Sequence, residues 1–249
     1  MLNLSGKIAL ITGSSKGVGR GIAIVLANLG AEVIINYPPS ENSENIVEEI
    51  NTSGGKAIKI PADVSLAESV NKMFDEIEGR YGRLDILVNN AGISESKDIF
   101  EIEDAGWNNI INTNLSSGFF CSRRAMLLMR KQNHGRIVFI SSMVAYQGAL
   151  FGHVHYAASK SGQLGMVRTL ARTGAKFGIT VNAVVPGIIE TELLYKTHGS
   201  EGVQEMAKMV PLGIGKPEDV GMAVAFICSD EAHYITGASI DVNGGMYMR

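Results

Sequence analysis

Hydrophobic and polar positions alternate between two patterns along the whole chain. Short runs that are almost wholly apolar predict buried strands, and longer stretches with apolar residues at helical spacing predict helices. Residues 7–11 form the first apolar run, and residues 17–29 form the first helical stretch. Further strands are predicted over residues 32–36, 56–60, 84–88, 136–140, 180–184 and 239–242. Further helices are predicted from the turn after the second strand to about residue 52 and over residues 66–81, 104–131, 154–177 and 217–228, with an irregular segment over 187–210.

These strands are apolar at nearly every position instead of alternating with polar residues. Such strands are typical of a parallel sheet that is covered by helices on both faces. The sequence therefore predicts a doubly wound, Rossmann-like α/β fold with a seven-stranded parallel sheet. Because no linker, repeat or low-complexity segment interrupts the pattern, residues 1–249 are predicted to form a single domain, with a lid over about residues 190–210.

The composition agrees with a turn-rich domain that has a sizeable core. Of 249 residues, 29 are glycine, about 12% against about 7% in an average protein, and 45% are hydrophobic. The net charge of −3 gives no basic surface for nucleic acid or an anionic membrane. The cysteines, Cys121 and Cys228, lack the spacing of a zinc site or a disulfide framework. With neither a secretory leader pattern nor a membrane-spanning run, we expect a cytoplasmic protein.

A glycine-rich turn follows the first predicted strand. Glycines in such a turn let the backbone approach a pyrophosphate, whose charge is favoured at the start of a helix. The spacing here is G-x-x-x-G-x-G, and Ile22 stands where the dinucleotide fingerprint has its third glycine, so a simple packing turn is the alternative. The candidate cofactor-binding residues of this turn are Gly13, Ser15, Lys16, Gly17, Val18 and Gly19.

Charges near this turn favour NADP(H) over NAD(H). Sites for NAD usually have an acidic residue about 20 positions after the turn, where it meets the adenosine ribose. Here the second strand ends at Asn36-Tyr37 without an acid, while Lys16 and Arg20 are placed to meet a 2′-phosphate. The alternative is that both cations are simply solvated, and NAD(H) remains the second candidate cofactor.

A tyrosine and a lysine occupy one face of the helix predicted over 154–177. Tyr156 and Lys160 are at i and i+4, so the ammonium is expected to lower the pKa of the phenol and to suit it to proton transfer. Ser142, at the end of the fifth predicted strand, is placed to donate a hydrogen bond to a carbonyl oxygen that gains charge. Ser141 is the fallback for this role.

A series of short motifs runs along the whole chain in a fixed order. They are Thr12-Gly13-x3-Gly17-x-Gly19, Asp63-Val64, Asn89-Asn90-Ala91-Gly92, Asn114, Ser142, Tyr156-x3-Lys160 and Pro186-Gly187. With them the whole chain resembles the short-chain dehydrogenase/reductase family. The resemblance implies that Tyr156 exchanges a proton with the substrate oxygen, Ser142 orients that oxygen, Lys160 also holds the nicotinamide ribose, and Asn114 holds a water that relays protons. It further implies cofactor contacts by Asp63, Val64, Asn90, Ala91, Gly92, Pro186, Gly187, Ile189 and Thr191.

One spacing departs from the family pattern. Ser142 and Tyr156 are fourteen positions apart, where thirteen is common, which predicts one extra residue between Tyr146 and His155. Nearby His153 and His155 are expected to be pocket or loop residues, since no carboxylate or cysteine completes a metal ligand set.

Within the family, the chain is most similar to 3-oxoacyl-acyl-carrier-protein reductases. The resemblance implies reduction of a 3-oxoacyl thioester on acyl carrier protein or coenzyme A, and a homotetramer. Asn133 and Phe177 stand where such reductases often have arginine, which makes a free ketone or a coenzyme A thioester more plausible. A basic group, Arg123, Arg124, Arg130 and Lys131, would either meet an acidic carrier or lie on a solvated or subunit-interface helix. The alternatives are a dehydrogenase of a sugar, polyol, steroid or other secondary alcohol, and a dinucleotide sensor without catalysis.

Overall fold

The computed structural model describes residues 2–41, 44–149 and 152–249. Within them, the strands form one parallel sheet with the order β3-β2-β1-β4-β5-β6-β7. The strands are β1 Ile8–Ile11, β2 Glu32–Ile35, β3 Lys56–Lys59, β4 Ile86–Asn89, β5 Gly135–Ile140, β6 Ile179–Pro186 and β7 Ser239–Val242. The predicted seven-stranded, doubly wound α/β fold is confirmed.

Helices cover both faces of this sheet. They are α1 Gly17–Asn28, α2 Glu44–Thr52, α3 Ala67–Tyr81, α4 Asp104–Ile111, α5 Ser117–Gln132, α6 Val144–Gln147, α7 Val154–Gly174, α8 Glu192–Lys208 and α9 Pro217–Cys228. Successive residues of β1 show why its sequence is apolar throughout. Ala9 and Ile11 enter one core with α1 and α9, whereas Ile8 and Leu10 enter the other with α3, α5 and α7. Each central strand needs apolar side chains on both faces, which is the cause of the pattern in the sequence.

The helix predicted over 104–131 is interrupted by a π-helical turn, Asn112–Ser116, between α4 and α5. This turn contains Asn114, one of the predicted site residues. A π turn inserts one extra residue without breaking the run of helical backbone, so apolar spacing does not reveal it. The interruption nevertheless matters, because π turns redirect side chains and often occur at functional sites.

The prediction of an irregular segment over 187–210 is wrong for most of its length. Residues Glu192–Lys208 form α8, with Thr191 as its N-cap accepting a hydrogen bond from the backbone N–H of Leu194. Gly199 has a non-helical backbone (φ 64°, ψ 172°), so the helix is kinked there. The kink and the polar composition conceal the helical period. A lid movement of this segment stays a prediction.

Two features of the described residues concern membrane-spanning helices and the role of the cysteines. None of their helices has both the length and the apolar character needed to cross a membrane. Both cysteines are buried in the cores, and burial raises the pKa of each thiol to about 12. Both therefore act as small apolar core residues at neutral pH.

Candidate active site

The candidate site lies at one edge of the sheet, where parallel strands end side by side. Thr12 follows β1, Asn90 follows β4, Ser142 follows β5 and Gly187 follows β6. In parallel α/β sheets this carboxyl edge is where ligands bind. The sheet order therefore collects residues that are far apart in sequence into one region.

Helix α7 brings Tyr156 and Lys160 against the end of β5. The Nζ of Lys160 donates a 2.8 Å hydrogen bond to the backbone oxygen of Ile140 and lies 5.6 Å from the centre of the Tyr156 ring. The hydroxyl of Ser141 donates a 2.9 Å hydrogen bond to the backbone oxygen of Lys160. These two bonds fix the first turns of α7 relative to the strand end.

The two adjacent serines after β5 differ in what their hydroxyls contact. The Ser141 hydroxyl is buried and bonded to the backbone of α7. The Ser142 hydroxyl lies beside the phenol of Tyr156, whose pKa it lowers, and it accepts the backbone N–H of Val144 at 3.3 Å. Only Ser142 is thus placed beside the phenol, and the geometry favours it over the fallback Ser141. The predicted extra residue lies in a span that includes residues 150 and 151, which are outside the described residues.

The pKa values of the tyrosine and the lysine are both set mainly by burial. Burial raises the pKa of Tyr156, and the neighbouring Ser142 hydroxyl only partly opposes this. The expectation of a phenol pKa below its usual value is therefore wrong for this structure, because burial outweighs the effect of the nearby Lys160. Burial also lowers the pKa of Lys160 to about 8, since a charged ammonium loses its hydration there. At neutral pH Tyr156 carries its proton, which is the form needed to donate one.

Asn114 ties the loop after β4 to α7. Its side-chain Nδ2 donates to the backbone oxygen of Ile93 at 2.9 Å and to the Ser159 hydroxyl at 3.2 Å, and its Oδ1 accepts the Ile93 N–H at 2.8 Å. Its backbone oxygen, within the π turn, accepts a 2.7 Å hydrogen bond from Gln163. The structure thus gives Asn114 a positioning role, and its water-binding role stays a prediction.

The glycine-rich turn after β1 is held by Asn90. Its Nδ2 donates to the backbone oxygens of Thr12 and Gly13, both at 2.9 Å. A Cβ on Gly19 would lie only 2.4 Å from this Nδ2, so the close approach requires glycine there. The Asn90 amide nitrogen thus braces the turn, and the predicted contact of this residue with the adenosine ribose side of the cleft stays a prediction.

The residues of this edge fit a nicotinamide dinucleotide. Among the described residues, no side chain caps the start of α1 and none in its first turn is acidic, which leaves backbone N–H groups available to a pyrophosphate. At Gly92, an added Cβ would lie 3.5 Å from Lys160 Nζ and 3.4 Å from Asn114 Oδ1. The missing side chain therefore leaves a cradle beside the lysine that is predicted to hold the nicotinamide ribose.

Several other predicted cofactor residues lie along the same edge. Thr191 approaches the turn, with its Cγ2 3.7 Å from the position of a Cβ on Gly17. Ala91 packs on Gly13, Pro186 ends β6, Gly187 packs on Asn243, and Ile189 is buried and pairs with Gly215.

Two predicted adenine contacts are used within the protein. Asp63 accepts hydrogen bonds from the backbone N–H and hydroxyl of Ser65, at 2.9 and 2.7 Å. The side chain of Val64 is buried in the core that contains α3, and Val18 packs against the opposite core. At Val64 and Val18, only backbone atoms are therefore expected to meet the cofactor.

Sequence reasoning missed the acidic partners of the two cations near the turn. Glu41 accepts hydrogen bonds from Lys16 Nζ and from the Ser15 hydroxyl, both at 2.9 Å. Arg20 forms an ion pair with Glu49. Neither cation is simply solvated. No local signal in the sequence indicates that these acids, 25 and 29 positions away, fold back onto the turn.

Asn36 stands at the end of β2, where NAD sites usually have an acid. Its buried amide Nδ2 donates to the backbone oxygens of Ile60 and Ala62, at 3.2 and 3.1 Å, and its Oδ1 accepts the N–H of Gly13 at 3.4 Å. The side chain braces the ends of β1, β2 and β3 against one another. It is therefore a structural residue.

The two histidines beside Tyr156 contact the loop after β4. His153 Nδ1 lies 3.2 Å from the Ser94 hydroxyl, and His155 Nε2 lies 3.8 Å from a carboxylate oxygen of Glu95. His155 Nδ1 accepts the Tyr156 N–H at 3.0 Å. Across the three described ranges, no three His, Cys, Asp or Glu side chains are grouped so as to hold a metal ion. The contacts of these histidines are those of loop and helix-start residues.

Comparison with known proteins agrees with this arrangement. A family model described as enoyl-(acyl carrier protein) reductase, from the short-chain dehydrogenase/reductases, matches residues 13–247. The chain belongs to the short-chain dehydrogenase/reductase family. Membership makes it an NAD(P)-dependent oxidoreductase that acts on CH–OH groups.

Two relatives named 3-oxoacyl-[acyl-carrier-protein] reductase match this member of the family over nearly their full length. The one from Escherichia coli strain K12 is 43% identical, over 99% of this chain and 100% of the relative. The one from Staphylococcus aureus strain Mu50 is 41% identical, over 97% and 98%. A solved structure from Sinorhizobium meliloti 1021, described as a short-chain alcohol dehydrogenase, has a TM-score of 0.93 and 37% identity over 98% of both chains.

Proposed function

We propose that this dehydrogenase/reductase uses NADPH to reduce the ketone of a 3-oxoacyl thioester, carried by acyl carrier protein or coenzyme A, in fatty acid synthesis. The observation that carries the proposal is the pairing of the Ser142 hydroxyl with a protonated Tyr156 phenol, above the buried Lys160. Two hydroxyl donors side by side suit a ketone oxygen that becomes an alcohol. The relatives named 3-oxoacyl reductases support the choice of substrate.

Each residue of the site has a distinct task in this reaction. A nicotinamide bound beside Lys160 would supply the hydride. Ser142 donates a hydrogen bond to the ketone oxygen as charge develops on it, and Tyr156 transfers its proton to that oxygen. Lys160 places a positive charge near the phenol and favours its loss of the proton during the reaction. Asn114 holds the loop after β4 against α7 and so keeps the phenol and lysine in place.

The cofactor preference for NADP(H) rests on Lys16 and Arg20. Both cations are at the start of α1, close to where a 2′-phosphate of the adenosine ribose would lie if the pyrophosphate occupies the glycine-rich turn. NAD(H) is the alternative, because Glu41 and Glu49 pair with these cations.

The basic residues of α5 offer limited support for carrier docking. Arg124 pairs with Asp75 and Lys131 with Glu78, whereas Arg123 lies over the Phe119 ring and Arg130 over the Phe177 ring. Since α5 runs away from the carboxyl edge, Arg130 and Lys131 lie at the opposite end of the sheet from Tyr156. We therefore place neither acyl carrier protein nor coenzyme A above the other as the thioester carrier.

The homotetramer and the cytoplasmic setting belong to the same proposal. Exposed apolar side chains on the helices predicted to form interfaces support self-association, for example Phe119 and Leu127 on α5 and Val154 on α7. Sedimentation of the purified chain tests this directly, and a monomeric mass contradicts it.

A second candidate is oxidation of a sugar, polyol, steroid or other secondary alcohol. The neighbour described as a short-chain alcohol dehydrogenase favours it, and the same Ser142, Tyr156 and Lys160 serve either direction. The two candidates would differ in the shape of the substrate pocket. Helix α8, the predicted lid, borders a cavity that is lined by Tyr195, Val203 and Ile214.

A substrate panel separates the candidates. Purified protein is given NADPH or NADH with acetoacetyl thioesters of acyl carrier protein and coenzyme A, simple ketones, sugars and steroids. We expect fastest consumption of NADPH with a thioester. Absence of turnover with every thioester would overturn the 3-oxoacyl assignment and leave the oxidoreductase class intact. Tyr156→Phe serves as the control, since it should abolish turnover while NADP⁺ binding stays within about twofold.

A further inference from the structure

Glu41 is hydrogen-bonded to the two side chains of the glycine-rich turn that would meet the adenosine end of the cofactor. One carboxylate oxygen accepts Lys16 Nζ and the other accepts the Ser15 hydroxyl, each at 2.9 Å. A 2′-phosphate that binds Lys16 would therefore replace a carboxylate already bonded to it.

A turn that directly follows β2 holds Glu41 in position. Its backbone N–H donates a 2.9 Å hydrogen bond to the Pro38 oxygen, which closes a turn just after β2. Its side chain is 33% exposed, against 72% for Lys16, so the carboxylate is the more enclosed member of the pair. Burial raises the pKa of Glu41, but the hydrogen bonds from Lys16 and Ser15 together lower it by more. The net pKa therefore lies below its usual value. The carboxylate is thus ionised at neutral pH.

The two forms of the cofactor meet this carboxylate differently. A 2′-phosphate and a carboxylate at the same lysine repel each other as like charges, and the single proton of the Ser15 hydroxyl can be donated to only one of them. A ribose 2′-hydroxyl is neutral and can donate a hydrogen bond to the carboxylate, so it leaves the ion pair in place. Arg20 offers no free substitute, since it pairs with Glu49.

We propose that Glu41 is a specificity-determining residue that competes with the 2′-phosphate for Lys16 and Ser15 and so keeps NAD(H) a usable cofactor. This proposal rests on the proposed function, because it assigns the adenosine end of the cofactor to this turn. An acid in the turn after β2 would thus set the ratio of NADP(H) to NAD(H) binding.

The test is Glu41→Gln, which keeps the size of the side chain and removes its charge. Affinities for NADP⁺ and NAD⁺ are measured by titration calorimetry on the full chain. We expect NADP⁺ affinity to rise by about fivefold or more, as the loss of one partly exposed competing charge allows, with NAD⁺ affinity unchanged or lower. Glu48→Gln is the matched control, since it makes the same charge change on the exposed face of α2 and should leave both affinities within about twofold.

A second variant keeps the test decisive. In a Lys16→Gln background, Glu41→Gln should raise NADP⁺ affinity by a smaller factor, because the contested cation is gone while the Ser15 hydroxyl and the like-charge repulsion remain. An unchanged ratio of NADP⁺ to NAD⁺ affinity in Glu41→Gln, or the same gain with and without Lys16, would overturn the proposal. Failure of the wild-type chain to bind either nucleotide would instead overturn the proposed function, so the two failures are distinguishable.

Discussion

Lys160 is only 4% exposed, and its ammonium donates a 2.8 Å hydrogen bond to the backbone oxygen of Ile140, the last residue of β5. Burial lowers the pKa of this lysine from 10.5 to about 8. Since a tenfold change in proton affinity corresponds to about 1.4 kcal/mol, the buried charge costs about 3 kcal/mol at neutral pH. The lysine is thus kept at a cost to the stability of the fold.

Lys160→Met should therefore stabilise the protein while removing its activity. The substitution removes the buried charge but leaves the Ile140 oxygen without its donor, which costs about 1 kcal/mol. We expect a net gain of about 1–2 kcal/mol at pH 7, seen as a Tm higher by about 2–6 °C in calorimetry. The gain should shrink as pH rises from about 8 to 10.5, where the unfolded chain keeps the proton that the folded one has lost. A lower Tm for the variant would show that the buried charge does not destabilise the fold.

The same lysine should set the upper pH limit of reduction. Above a pH of about 8 the free enzyme loses the Lys160 ammonium. Tyr156 keeps its proton to higher pH, because burial raises the pKa of its phenol. We expect kcat/KM for NADPH-dependent reduction to fall as pH rises through about 8, approaching a tenfold loss for each further unit. A profile that stays flat to pH 10 would contradict this assignment.

Replacing the two neighbouring serines should separate catalysis from stability. Ser142→Ala removes the hydroxyl that contacts Tyr156, and we expect kcat to fall by about 10²-fold or more with Tm nearly unchanged. Ser141→Ala removes the bond to the Lys160 backbone oxygen, and we expect a stability loss of about 1–2 kcal/mol with most of the activity retained. Turnover and thermal unfolding of both variants give the comparison, and the reverse pattern would return Ser141 to the reactive position.

Local patterns in the sequence predicted the central strands well. The strands β1 and β4 are buried at every position, in agreement with the apolar runs that predict a sheet covered on both faces. Tyr156 and Lys160 were also predictable, because the spacing within one helix fixes their proximity.

Features that depend on distant parts of the chain were not predictable in this way. The helical period of α8 is concealed by the kink at Gly199. The pKa of Tyr156 depends on how deeply the folded chain buries the phenol, and the sequence spacing to Lys160 carries no information on this. Glu41 reaches Lys16 only because β1 and β2 are neighbours in the sheet.

The last prediction concerns Asn36, because its substitution tests whether the end of β2 contacts the cofactor. Asn36→Asp would place a carboxylate against the backbone oxygens of Ile60 and Ala62, which now accept hydrogen bonds from the amide at 3.2 and 3.1 Å. An acid there is typical of NAD sites, yet in this chain it should cost about 3 kcal/mol or more and lower Tm by at least about 6 °C at pH 7. Part of the loss should be recovered at pH 5, where a protonated carboxyl group can again donate to one of the carbonyls. An unchanged Tm together with tighter NAD⁺ binding would show instead that residue 36 meets the ribose, and that Glu41 is not the acid that sets cofactor choice.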